Sequence, residues 1–159
     1  MKFIFAAILI SMSVSPPSKA SDAKVCGKYS SNQDCLVNNF SELYHSDYKL
    51  FFNTVHGLEA EAKKCKSKRA MILFAELLKF IEGNAEVGEY FSEEIEIIFV
   101  KKPKCILDVV DSLSAASNTK LFSILRTPTF QNADAILKAL NSQQKHKNYN
   151  EAHKGIFGK

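Results

Sequence analysis

Tryptophan is missing from this 159-residue chain, and glycine and proline are scarce, at six and four residues. The glycines are scattered, so no glycine-rich loop is present to cradle a phosphate. No G-x-S-x-G stretch marks a strained nucleophile turn. No two cysteines have the close spacing of a zinc-binding pair, which argues against structural zinc and leaves no cofactor implied. Past the first residues, no apolar run reaches membrane-spanning length. A strong excess of one charge is lacking as well: 21 Lys and Arg oppose 17 Asp and Glu, for a formal net charge of +4 and a pI of 8.8. That balance gives no case for nucleic acid as a partner.

What is present begins at the N-terminus. "MKFIFAAILISMSVSPPSKA" has one early lysine, an apolar run from Phe3 to Val14, a Pro-Pro break, and the small residues Ser18 and Ala20 before a cut. This is the order of a secretory signal peptide, cleaved after Ala20 or after Ala23. Its removal takes away Lys2 and Lys19 and no acid, which halves the formal charge. About 139 residues remain, enough for one domain with a real core. All four cysteines, Cys26, Cys35, Cys65 and Cys105, lie beyond the cut. An even number in an exported chain points to disulfides and to the periplasm or the extracellular space.

From Asp34 onward, apolar residues recur at helical spacing. Leu36, Phe40, Leu43 and Tyr44 make a short first face. Phe51, Val55, Leu58, Ala62 and Cys65 make a clean amphipathic stripe. The pattern predicts further helices over 68–81, ended by Gly83-Asn84, and over 86–101, stopped by Pro103. "EIEIIFV" within the latter alternates as a strand would, but a lone strand has no partner, so it reads as helix. Ile106, Val109, Val110 and Leu113 form a fourth face. Ser117 or Asn118 caps a short helix bearing Leu121, Ile124 and Leu125. Asn132 caps a last one bearing Ala133, Ile136, Leu137 and Leu140. The division expected is a leader over 1–20, a loop segment over 21–34, an all-α domain over 35–141 and a polar, flexible tail over 142–159. In that tail only Ile156 and Phe157 are candidates for docking. About six antiparallel helices form either a short array or an irregular bundle.

"FVKKPKCILDVVDSL" puts Cys105 near three lysines at a helix start, the setting of a reactive thiolate. Counting helix ends argues otherwise. The stripe closing at Cys65 ends where the 68–81 helix begins, and that helix crosses about 21 Å before turning. The 86–101 helix returns over about 24 Å, so Cys105 arrives beside Cys65. That placement permits a Cys65–Cys105 bond, and with it Cys26–Cys35 across a turn-rich loop, the pairing expected among the three that four cysteines allow.

Of His45, His56, His146 and His153, His56 has no Asp or Glu at the i+4 position to orient it, and the last two fall seven apart in the tail. Glu82, Glu86, Glu89, Glu93, Glu94 and Glu96 read as a solvated helix face. With no catalytic signature, the expectation is a protein that is not an enzyme.

The more informative charges are Lys63, Lys64, Lys66, Lys68, Arg69, Lys101, Lys102 and Lys104, all gathered at the Cys65–Cys105 end. Lys68, Arg69 and Lys104 sit at helix starts, where the helix dipole opposes them. Charge kept against local preference points to a partner, either an acidic protein surface or an anionic envelope polymer. The hairpin layout over 47–141 resembles a short HEAT-like helical array. In size, export and helical content the chain resembles the periplasmic immunity proteins that protect bacteria from type VI secretion amidase effectors. That resemblance implies a protein partner, an effector enzyme to be neutralised, and carries no binding residue across. The alternative is a carrier for a small apolar ligand, with the twelve phenylalanines lining a cavity between helices.

Overall fold

A computed structural model describes residues 25–158. The expected leader over 1–20, with its cleavage point, lies outside the described residues.

The described chain is all-α, with no strand: nine helices joined by short turns. Short helices α1 (Asn32–Asn38) and α2 (Phe40–Ser46) divide the first face at Asn39. The long α3 (Tyr48–Lys64) buries Phe51, Val55, Leu58 and Ala62, the expected stripe. Its N-cap is Asp47, whose side chain accepts from Leu50 N at 2.9 Å. α4 (Lys68–Glu76) starts at the Ser67 cap and tightens into a 3₁₀ turn, Leu77–Phe80. Together they span most of the predicted 68–81 helix.

Gly83, at φ 81°, turns the chain, and Asn84 caps α5 (Ala85–Lys101). α5 is helical through "EIEIIFV", as expected. It buries Val87, Phe91, Ile95, Ile98 and Phe99 on a broad face, because it packs against α6 (Pro103–Leu107), α7 (Ala115–Arg126) and α8 (Ala133–Asn141). Packing on three helices makes α5 the axis of an irregular bundle. Fully burying side chains such as Phe51, Phe74, Phe91 and Phe99 contributes about 1.5–3 kcal/mol each.

Two disulfides staple the bundle with the expected pairing. Cys26–Cys35 has Cα atoms 5.3 Å apart, and Cys65–Cys105 has them 5.7 Å apart. Cysteine pairing of this kind fits an oxidising compartment outside the cytoplasm. Among the described residues no helix is long and apolar enough to cross a membrane.

Four local expectations need correction. The cap of α7 is Ser114, not Ser117 or Asn118, since the Ser114 side chain accepts from Ser117 N. Ser117 instead faces the core and donates to Glu76 O at 3.3 Å. The fourth face is not one helix but α6 followed by a 3₁₀ turn at Val110–Ser112. Leu137 is exposed, because Ala139 takes its place beside Ile136 and Leu140 in the core face of α8. The tail is not frayed: Tyr149–Phe157 is a helix, α9, with Ala152 and Ile156 fully buried. It packs on α7, where Gly155 lies directly against the Phe122 ring. Arg126 fastens its end by donating to the carbonyls of Gly155 at 2.5 Å and Ile156 at 3.2 Å.

Candidate functional site at the basic end

The end of α3 is shaped by Cys65, which adopts a left-handed conformation at φ 56° and ψ 26°. It is the one non-glycine residue with positive φ among the described residues. This reversal points the chain through Lys66 and Ser67 into α4. On the other side, Pro103 occupies the first turn of α6 and places Cys105 against Cys65. Lys102 Nζ adds a bond across the same seam, donating to Lys63 O at 2.6 Å. Of the eight basic residues singled out above, Lys66 and Lys68 line a cleft with this disulfide, Lys102 bonds across its seam, and Arg69 turns to Asp34, beside Cys35 of the other disulfide.

They are not equivalent. Lys63 bridges Glu59 and Glu94. Burial works against its charge, but hydrogen bonds to both carboxylates outweigh that and hold its pKa above the ordinary lysine value. Arg69 pairs with Asp34 at 2.9 Å, and Lys104 with Asp108 at 2.5 Å. Lys102 closes α3. Four of the eight are thus engaged within the molecule. Lys64, Lys66, Lys68 and Lys101 are exposed and have no ion pair among the described residues. Lys66, Lys68 and Lys147 line a cleft of about 310 Å³ over the Cys65–Cys105 disulfide, with Asp108 in the same wall. Lys147, from the supposed tail, is paired with Asp111.

Beside this cleft is an arrangement that resembles a catalytic dyad. His146 Nε2 lies 2.9 Å from Asp108 Oδ1. Its other ring nitrogen, Nδ1, accepts from Asn148 N at 3.1 Å, so Nε2 carries the proton and donates to Asp108. Both nitrogens are occupied, which leaves none to take a proton from a substrate. Burial pushes the Asp108 carboxyl up, but bonds from Lys104 and His146 outweigh it and hold it below the usual range. The group ties the 142–148 segment to α6. A further bond from Asn148 Nδ2 to Leu107 O, at 2.8 Å, does the same. Among the described residues no group of His, Cys, Asp and Glu has the arrangement to hold a metal ion.

The acidic run on α5 is only partly the solvated face expected. Glu82, Glu86, Glu89 and Glu93 are exposed, with Glu86 accepting from Tyr44 and Tyr48 at 2.9 and 2.7 Å, whereas Glu94 holds Lys63. Glu96 is 1% exposed. Its carboxyl oxygens accept from Thr129 N, Phe130 N and Gln131 N at 2.9, 2.8 and 2.6 Å. Three backbone donors compensate a burial that would otherwise be costly. They also lock the loop between α7 and α8 so that Phe130 stays 40% exposed at the rim of a second cleft. That cleft, of about 610 Å³, runs along Ile81, Gly83 and Gly88 with Glu82 and Glu89 beside it. Sequence reasoning missed this feature. The available signal was the position of Glu96, three residues before Phe99 and five after Phe91, inside the apolar face of its helix.

Fold and site together define a class: a small all-α domain, clamped by two disulfides, with a basic end whose charges are only partly paired within the molecule. No protein-family model, curated protein or solved structure matches the chain.

Proposed function

We propose that this is a non-enzymatic binding protein of the periplasm or extracellular space, which docks an acidic surface of another protein on its basic end. The observation that carries the reading is the set of four exposed, unpaired lysines on a disulfide-clamped platform. Rigid cationic surfaces speed and orient encounters with acidic partners, and they cost little to order on binding. The fitting partner, in line with the likeness in build to immunity proteins, is a secreted effector that attacks the cell wall. Inhibition would follow from covering its active-site cleft. The carrier reading has no comparable support, since Phe51, Phe74, Phe91 and Phe99 are spent in a packed interior.

The test is affinity capture from an envelope extract with the wild type and with Lys64→Glu, Lys66→Glu, Lys68→Glu and Lys101→Glu combined. A stoichiometric protein partner is expected with the wild type, losing affinity steeply with salt, and little or none with the variant. Capture that is equal for both removes the basic end from the account. Recovery of an anionic polymer without protein replaces the partner class.

A further inference from the structure

The two disulfides differ in a way the binding reading does not use. Cys26 and Cys35 belong to the core, at 8% and 0% exposure. Cys65 and Cys105 are partly exposed and both line the 310 Å³ cleft, with Lys66, Lys68 and Lys147 around them. Cys65 also holds the left-handed backbone conformation that L-residues adopt reluctantly. We infer that Cys65–Cys105 is a thiol–disulfide exchange site for a dithiol-bearing partner, while Cys26–Cys35 is a purely structural bond.

Three conditions for exchange meet here: access to sulfur, a cationic wall that attracts an incoming thiolate, and the same wall to stabilise the thiolate that leaves. A thiolate of the dithiol attacks Cys65 Sγ and forms a mixed disulfide. The Cys65–Cys105 bond breaks, and its electron pair departs on Cys105 Sγ into the cleft lined by Lys66 and Lys68. The second thiol loses its proton to solvent, attacks its own partner sulfur in the mixed disulfide and expels Cys65 as thiolate. Two electrons have then moved: the dithiol is oxidised to a disulfide and the cystine is reduced to two thiols. Exchange frees Cys65 to leave its left-handed conformation and unties α3 from α6. Asp108 opposes the lysines least where it faces Lys104 and His146, which already hold it.

The probe is dithiothreitol, uncharged and itself a dithiol, applied to the oxidised full mature protein under native conditions. Timed alkylation and peptide mass mapping follow each pair, with circular dichroism recording helicity. Cys65 and Cys105 should become labelled at least about tenfold faster than Cys26 and Cys35, with helicity retained. Combined Lys66→Gln, Lys68→Gln and Lys147→Gln should slow that step severalfold. Labelling of Cys26 and Cys35 first, or of all four together at the rate of global unfolding, overturns the inference. An unchanged rate in the triple variant overturns the part assigned to the lysine wall.

Discussion

Replacing Glu96 by Gln isolates what the buried carboxylate does, because size and shape are nearly kept. In the native protein Oε1 accepts one backbone N–H, from Thr129, and Oε2 accepts two, from Phe130 and Gln131. Gln retains one acceptor oxygen. Placed at the Oε2 position it keeps two bonds and turns its NH₂ toward the Thr129 N–H, donor against donor. Hydrogen bonds to a charged group contribute about 1.5–3 kcal/mol each, and an orphaned buried donor costs about 1–3 kcal/mol. Charge assistance is also lost from the two surviving bonds. The expected loss is about 2–4 kcal/mol, a large part of the roughly 5–15 kcal/mol that stabilises a domain. Urea denaturation followed by circular dichroism measures it, and hydrogen exchange localises it: amides 129–131 should lose protection before those of α5. A variant within about 0.5 kcal/mol of wild type, with those amides still protected, would refute the reasoning, since that is how a solvated surface glutamate behaves.

The other predictions concern the staples, the tail and pH. Replacing Cys65 and Cys105 together by Ser opens a loop of sequence separation 40, and chain entropy sets the loss at about 4 kcal/mol, read as a lower urea midpoint. Gly155→Ala drives a methyl group into the Phe122 ring, so about 1–3 kcal/mol should be lost and α9 should become the first site of proteolysis. Burial raises the carboxyls of Glu59 and Glu76, but hydrogen bonds from Lys63 and Tyr90 to the first, and from Ser114 and Lys79 to the second, outweigh it, so both titrate below the ordinary glutamate value. Groups with folded pKa values below the unfolded ones stabilise fully above the unfolded value, near 4.3, and lose that contribution as pH falls through the folded value. Urea midpoints should therefore be flat between about pH 6 and 8 and decline below about pH 4.5. A midpoint that rises on acidification would contradict this.

Much of the architecture was legible because it depends on local periodicity. The α3 stripe, the turn at Gly83-Asn84 and the stop at Pro103 each follow from spacing and turn chemistry within a few residues. Helix lengths also bring Cys65 and Cys105 to the same end, which permits their pairing without singling it out from the other connectivities. What stayed hidden depends on contacts distant in sequence. α9 looks polar because its anchorage uses two apolar residues, a glycine that lets Phe122 approach, and Arg126 from 30 residues upstream. Glu96 reads as one more surface acid until the 129–131 backbone is brought to it. The basic end was found as a group, yet only the folded chain shows which of its charges Glu59, Glu94, Asp34 and Asp108 already hold.

The most direct test of the account is a non-reducing peptide map of the mature protein recovered from its native compartment. Cross-linked peptides for Cys26–Cys35 and Cys65–Cys105 are expected, together with a chain beginning at Ser21 or Lys24. Four free thiols, a bond between Cys35 and Cys65, or an intact Met1 leader in the cytoplasm would contradict it.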